Sequence, residues 1–93
     1  MGMEFTWDEN KRILNVAKHG LDFVDAHQIF EFPTYTVEDN REGYGEQRFI
    51  TLGCLFGFVV YLAHTENDEE IRCISFRSAT RKEREIYFKQ VSN

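Results

Sequence analysis

Two segments near the amino terminus carry apolar residues at helical spacing. Asp8 is a suitable N-cap for a first helix that runs to about His19, and Gly20 favours its termination. Asp22 is the N-cap of a second predicted helix, which runs through Phe30. The predicted buried faces are Ile13, Val16 and Ala17 on the first helix, and Phe23, Ala26, Ile29 and Phe30 on the second.

Strand-like segments occupy most of the remaining chain. The sequence predicts strands over residues 34–37, 47–55, 58–64 and 71–77, and a further short strand over residues 5–7. Residues 58–63 are apolar at every position, so this strand should be covered on both faces. A capping box at Thr80 and Glu83 begins a last helix that runs to about residue 90, and we expect Glu83 to act only as the cap. The fold class is therefore α+β, with two N-terminal helices, a three- to four-stranded antiparallel sheet and a C-terminal helix in a single domain over residues 1–93.

The positions of Arg72 and Arg77 in the last predicted strand bear on function. Successive side chains of a strand point to opposite faces, so this odd spacing separates the two arginines unless a bulge intervenes. Arg77 would then share a face with Ser75. Arg77 also lies nearer the last helix and is the better functional candidate, which leaves a structural role for Arg72.

The composition is that of a small folded protein. The chain has 93 residues, of which 42% are hydrophobic and 29% are charged, and these values favour one domain with one core over a disordered tail. Cys54 and Cys73 are isolated in apolar segments, which predicts buried, reduced thiols and a cytoplasmic protein. The chain has no apolar run of membrane-spanning length and no signal-peptide segment at its start.

Basic residues are concentrated towards the carboxyl terminus of an acidic chain. The net charge is −5, yet six of the 11 lysines and arginines lie in residues 72–89. Arg81 and Arg84 fall near the start of the last predicted helix, where cations oppose the helix dipole unless an anion binds. This pattern predicts a site for phosphate or carboxylate. The alternative is a solvated helix face with pairs such as Arg81 and Glu85.

Two further motifs offer acid–base chemistry. Lys18–His19–Gly20 is typical of a helix terminus, but the histidine can also exchange a proton near neutral pH and the lysine can hold a phosphate. Glu46 and Arg48 share one face at the start of a strand. They form either a surface pair that contributes about 0–1 kcal/mol, or a base beside a transition-state clamp.

Phosphodiester transesterification is the chemistry that these residues support without a metal. A histidine or glutamate base removes a 2′-hydroxyl proton, the oxygen attacks the adjacent phosphorus, and arginine or lysine stabilises the phosphorane. Only RNA carries that hydroxyl group. His27 and His64 lack metal-ligand spacing, so the sequence predicts neither a metal site nor a cofactor.

The order and spacing of these residues resemble the BrnT family of bacterial toxins over nearly the whole chain. The matching positions in the first half are Phe5, Trp7, Asp8, Lys11, Asn15, Lys18, His19, Gly20, Phe23, Ala26 and Phe30. Those in the second half are Glu46, Arg48, Arg72, Ile74, Ser75, Arg77, Ala79, Thr80, Glu83, Arg84 and Tyr87. Phe76 stands where alanine is common in the family, and we expect this difference to change packing only.

The resemblance implies a RelE-like ribonuclease fold and a toxin that cleaves RNA, in some relatives on the ribosome, and halts translation. It also implies a cognate antitoxin that binds DNA and masks the toxin, so that the toxin meets DNA only indirectly. Carried over position by position, it gives His19, Glu46, Arg48 and Arg77 as catalytic residues and Lys18, Arg72 and Arg84 as RNA-binding residues. Arg81 joins the RNA-binding set on the helix-terminus argument alone. Either His19 or Glu46 could be the base.

Two other functions remain open. The arginine cluster could dock an acidic partner segment or RNA without catalysis, which predicts salt-sensitive binding and no turnover. The chain could also be a toxin relic that acts only as a co-repressor with its antitoxin. A short DNA-binding protein encoded in the neighbouring reading frame would favour the two hypotheses that include an antitoxin, namely the ribonuclease toxin and the co-repressor.

Overall fold

The computed structural model describes residues 2–41 and 43–92. These residues contain five strands and three helices. In chain order they are β1 (Glu4–Thr6), α1 (Glu9–His19), a 3₁₀ helix (Phe23–Glu31), β2 (Tyr35–Asp39), β3 (Arg48–Leu55), β4 (Phe58–Glu66), β5 (Glu70–Ser78) and α2 (Arg81–Val91). None of these helices has the length and apolar character needed to span a membrane.

The strands form one sheet in the order β1-β5-β4-β3-β2. The pairs β2–β3, β3–β4 and β4–β5 are antiparallel. β1 lies parallel to β5, from Glu4 beside Glu70 to Thr6 beside Arg72. The α+β class is thus confirmed, but the predicted three- to four-stranded antiparallel sheet is wrong, because the three-residue β1 adds a fifth, parallel strand at the edge.

The second predicted helix is a 3₁₀ helix and not an α-helix. Asp22 caps it as predicted, since its side chain accepts a hydrogen bond from the backbone N–H of Val24 at 3.1 Å. Its buried residues are Phe23, Ala26 and Ile29. A 3₁₀ helix has three residues per turn, so this spacing aligns all three side chains on the sheet. Phe30 falls outside this row and is 36% exposed, contrary to the prediction.

Apolar side chains cover both faces of the sheet, as the apolar run in β4 predicts. The first core cluster consists of Leu21, Phe23, Ala26, Ile29, Leu55, Val60, Leu62, Cys73 and Phe76. The second consists of Leu52, Val59, Ala79 and Tyr87. Val59 and Val60 are consecutive in β4 and belong to different clusters, so the clusters lie on opposite faces.

Both cysteines are free thiols, as predicted. Cys73 is buried, and burial raises the pKa of its thiol to about 12. Cys54 is half-buried, with its sulfur 3.5 Å from the Tyr87 hydroxyl oxygen. The predicted burial therefore holds fully only for Cys73.

Helix α1 begins and ends where the sequence predicts, but it docks through a different face. Gly20 has a φ of 75°, and its N–H donates to the Val16 carbonyl at 2.8 Å, which ends the helix. The predicted apolar face is wrong, because Ile13, Val16 and Ala17 are exposed. The buried residue of α1 is Asn15.

Asn15 docks α1 onto the edge of β5. Its Nδ2 donates to the carbonyl oxygens of Leu21 at 2.9 Å and Phe76 at 2.8 Å, and its Oδ1 accepts from Phe76 N–H at 3.0 Å. β1 pairs only with residues 70–72 of β5, so Phe76 lies beyond the reach of that strand. The asparagine amide supplies the partners that buried backbone groups require.

A β-bulge in β5 changes the direction of its side chains. Ile74 is skipped in the register between β4 and β5. Arg77 lies opposite Tyr61, and Arg72 lies opposite Thr65. Because Tyr61 and Thr65 are four residues apart in β4, they point to the same face. Arg72 and Arg77 therefore share a face, and the prediction that they lie on opposite faces is wrong.

A chain of polar groups crosses the other face of the sheet. Thr51 Oγ1 lies 2.7 Å from Thr36 Oγ1 and 2.7 Å from His64 Nε2. His64 is 1% exposed, and its Nδ1 has no hydrogen-bond partner among the described residues, with a Glu66 oxygen at 3.7 Å. Burial lowers the pKa of His64 to about 4, so the ring is uncharged at neutral pH.

Replacement of Asn15 should destabilise the fold. In Asn15→Ala, three backbone groups lose their partners, and we expect the free energy of unfolding to fall by about 2–4 kcal/mol. Denaturant unfolding measures this change. The control is Asn10→Ala, at an exposed position of the same helix, which should change stability by about 0.5 kcal/mol at most. Equal effects of the two variants would contradict the docking role.

Acid should weaken the fold through His64. The histidine has an ordinary pKa of 6.5 when unfolded and about 4 when folded, so between these values only the unfolded chain gains the proton. The free energy of unfolding should therefore fall as the pH drops from 6.5 towards 4, by up to about 3 kcal/mol. Unfolding curves across this pH range measure the change. The free energy of unfolding should fall less in His64→Gln, while His27→Gln, at an exposed histidine, should match the unmodified protein.

Candidate active site

A cleft of about 190 Å³ lies between α1 and the bulged part of β5. Residues on one face of α1, spaced by three or four positions, form its helical wall. The lining residues are Lys11, Leu14, Asn15, Lys18, His19, Ile74 and Ser75. Among the described residues, none that lines the cleft is acidic, although the chain carries a net charge of −5. The cleft is therefore suited to an anion.

His19 is a half-buried base within this cationic cleft. Burial lowers its pKa below the ordinary histidine value, and the charges of Lys18 and Arg77 lower it further. At neutral pH the imidazole is uncharged and can accept a proton. Ser75 lines the cleft with His19, and Arg77 lies two residues further along β5 on the same face, close enough for its charge to act on His19.

Arg77 is held by an aromatic ring and a carboxylate. Its guanidinium carbon lies 3.7 Å from the centre of the Tyr61 ring. Its Nη1 and Nη2 donate to the two oxygens of Glu83 at 2.9 and 3.0 Å, which raises the pKa of Arg77 and lowers that of Glu83. Glu83 also accepts from Thr80 N–H at 2.9 Å in the capping box of α2. The prediction that Glu83 acts only as a cap is therefore wrong.

A second cluster of charged side chains, besides the one around Arg77, lies at the start of β3. Arg48 Nε donates to Glu46 Oε2 at 3.3 Å, and its guanidinium carbon lies 4.0 Å from the centre of the Tyr44 ring. Asp39 accepts from Arg41 Nη2 at 2.7 Å and from the Tyr44 hydroxyl at 3.1 Å. The bonds from Arg41 are the main reason that the pKa of Asp39 falls to about 2. Arg48 is thus positioned by a carboxylate and a ring, much as Arg77 is.

The two groups share one face of the sheet but lie apart on it. Leu52 of β3 and Arg77 of β5 both pair with Tyr61 of β4, and Arg48 precedes Leu52 by four residues. Arg48 and Arg77 are therefore separated by about 13 Å along the strands and about 10 Å across them. Arg72 lies nearly level with Arg48, about 10 Å away across β4. The structure thus brings together Lys18, His19 and Arg77, and places Glu46, Arg48 and Arg72 on a neighbouring area.

The arginines at the start of α2 have partners within the chain. Arg81 Nε lies 3.5 Å from Glu85 Oε2 in an exposed pair, as the alternative interpretation of this helix predicts. Arg84 Nη1 donates to the Ala79 carbonyl at 3.1 Å. These contacts offset the adverse helix dipole, so the arginines do not by themselves require an external anion.

Sequence reasoning missed several residues of the site. Lys11 is related to Lys18 by seven positions, a spacing that places both on one face of a helix and could have revealed it. Tyr61 and Tyr44 gave no such signal, because their arginine contacts depend on strand register and on the fold of the loop before β3.

The fold and the site define a small α+β protein with a cationic cleft that contains a neutral histidine. The family model described as "Ribonuclease toxin, BrnT, of type II toxin-antitoxin system" matches residues 7–83. The chain therefore belongs to the BrnT toxin family, which confirms the resemblance.

A solved structure agrees with this assignment. The chain is similar to the 1.1 Å crystal structure of the Brucella abortus ribonuclease toxin, BrnT, with 30% sequence identity and a TM-score of 0.64. The alignment covers 86% of this chain and 100% of that chain. A comparison with curated proteins found no match.

Because Glu83 both caps α2 and binds Arg77, its replacement should destabilise the protein more than replacement of Glu85 in the same helix. Glu83→Gln removes a charge from two hydrogen bonds to Arg77 and weakens the cap, so we expect a loss of about 1.5–3 kcal/mol in the free energy of unfolding. Glu85→Gln makes the same chemical change at an exposed pair and should cost about 0.5 kcal/mol. Thermal or denaturant unfolding compares the two, and similar losses would show that Arg77 does not depend on Glu83.

Proposed function

We propose that the chain is a metal-independent endoribonuclease toxin, which cleaves RNA through attack of a 2′-hydroxyl group and so inhibits translation. Membership of a ribonuclease toxin family supports an RNA substrate. The observation that carries the proposal is the neutral His19 in one cleft with Lys18 and within electrostatic range of Arg77. A base among cations suits a reaction in which a proton leaves and negative charge develops on phosphate.

In the proposed reaction, His19 removes the 2′-hydroxyl proton and the resulting oxygen attacks the adjacent phosphorus. Lys18 and Arg77 stabilise the charge that develops on the phosphorane oxygens. The bond from phosphorus to the 5′-oxygen then breaks. This oxygen takes up a proton, for which the Lys18 ammonium group is the proposed donor. The products are a 2′,3′-cyclic phosphate and a 5′-hydroxyl end.

The geometry favours His19 over Glu46 as the base. His19 shares its cleft with Ser75, which precedes Arg77 by two positions on the same face of β5, whereas Glu46 contacts Arg48 at the start of β3, on the order of 15 Å from Arg77. We assign Arg48 and Arg72 to binding of the RNA strand on the adjacent area of the sheet, with Glu46 orienting Arg48. We also assign Arg84 and Arg81 of α2 to RNA binding.

Family membership also implies a cognate antitoxin as a partner. We propose that this antitoxin is a small DNA-binding protein and that the toxin acts in the cytoplasm on RNA, including ribosome-bound messages. Contact with DNA would be indirect, through the antitoxin. A stable complex without RNA cleavage would instead favour the non-catalytic or co-repressor alternatives.

Removal of the His19 imidazole should slow cleavage strongly. We expect His19→Gln to lower the rate about 10²–10⁴-fold, and Glu46→Gln to act mainly on RNA binding. His27→Gln, at an exposed histidine outside the cleft, is the matched control and should cleave normally. Single-turnover cleavage of labelled RNA, with folding of each variant verified, measures these rates.

The pH profile gives an independent check on the base. Because the pKa of His19 is lowered, its reactive neutral form persists below pH 6.5, and the acid limb of kcat/KM should lie below that value. A normal rate in His19→Gln together with inactivity of Glu46→Gln would assign the base to Glu46. If the unmodified protein cleaves neither free nor ribosome-bound RNA, the proposed ribonuclease function is wrong.

A further inference from the structure

Part of the cleft between α1 and β5 has no role in the reaction proposed above. Lys11 lies about two turns before Lys18 on the same face of α1, and Leu14 lies between them. Leu14 is 67% exposed, so its side chain adds little to the core. Ile74, the bulged residue of β5, is part of the lining of the same cleft. This end of the cleft combines one cation with two apolar side chains.

The size of the cleft argues against a free small molecule. Pockets that enclose small ligands usually have volumes of about 300–1,000 Å³, and this cleft has about 190 Å³. A polymer strand needs no enclosure, because it can pass through an open cleft and continue beyond it. A cation with adjacent apolar surface matches a nucleotide of single-stranded nucleic acid, whose phosphate is charged and whose base has an apolar face.

The length of α1 separates Lys11 from the reacting phosphate. His19 follows Lys11 by eight positions along α1, which corresponds to a rise of about 12 Å. This separation of about two turns of α1 allows the two side chains to contact different phosphates of one strand. Lys11 is placed for a different phosphate of the same strand.

We propose that Lys11, Leu14 and Ile74 form a subsite for the nucleotide that flanks the cleaved bond in single-stranded RNA. This inference rests on the proposed ribonuclease function. Lys11 binds the phosphate of that nucleotide, and Leu14 and Ile74 contact its base or ribose. The strand then runs along α1 towards His19.

Binding of an RNA that cannot be cleaved tests the subsite apart from catalysis. The probe is a labelled, mixed-sequence 2′-O-methyl oligonucleotide, in which the attacking hydroxyl is blocked. We expect Lys11→Gln to weaken binding about fourfold at physiological salt and to reduce the slope of log K against log salt by about 0.7, the value for one phosphate contact. Lys89→Gln, at an exposed lysine in the last turn of α2, is the matched control and should leave both values unchanged.

The apolar part of the subsite has its own pair of variants. Leu14→Ser should weaken binding about three- to tenfold without a change in the salt slope, because it removes apolar contact and no charge. Ile13→Ser changes a neighbouring exposed residue of α1 outside the cleft and should have no effect. All four positions are exposed, so stability should be retained in each variant.

Two results would overturn the subsite: unchanged RNA binding in Lys11→Gln, or equal losses in Lys11→Gln and Lys89→Gln. The second would mean that only overall charge matters. Failure of the proposed ribonuclease function has a different signature. In that case the unmodified protein would not cleave ordinary RNA, while the difference between Lys11→Gln and Lys89→Gln in binding would still decide whether the subsite exists.

Discussion

The hydrogen bonds between Asn15 and the backbone of Phe76 determine where the proposed catalytic residues lie. They join α1 to β5 at a point where, within residues 2–41 and 43–92, no strand pairs with that side of β5, so the amide supplies the hydrogen bonds that a strand would otherwise provide. Once Asn15 is fixed, the next turn of α1 must pass beside Ser75, and His19 is carried into range of Arg77. The same amide thus supports the stability of the sheet edge and the geometry of the cleft.

The structure is predictable where it depends on sequence neighbours. Asp8, Asp22 and Thr80 cap their helices through backbone N–H groups two or three residues away, so a short motif contains the whole interaction. The contact of Asn15 with Phe76 spans 61 residues, and no local pattern contains it. The amphipathic expectation for α1 failed for the same reason, since this helix docks through a polar residue and leaves its apolar residues exposed.

The candidate site shows the same division. Residue types and spacing marked His19, Arg48 and Arg77 as candidates, because acid–base and cationic side chains are few and stand in recognisable motifs. Their grouping was not predictable, since it depends on a bulge at Ile74 that reverses the direction of every later side chain in β5. One inserted residue thereby places Arg72 on the same face as Arg77.

Pairing of Arg77 with Glu83 is compatible with binding of a phosphate. A guanidinium group has five N–H donors, and Glu83 and the Ser78 carbonyl accept three of those of Arg77, through Nη1 and Nη2. Among the described residues, these bonds leave Nε–H and the second Nη2–H, which form one edge of the guanidinium plane. Such an edge binds phosphate through two parallel hydrogen bonds. Glu83 therefore fixes the direction of Arg77 without occupying that edge, and the lysines of the cleft supply the net positive charge that the Arg77–Glu83 pair lacks.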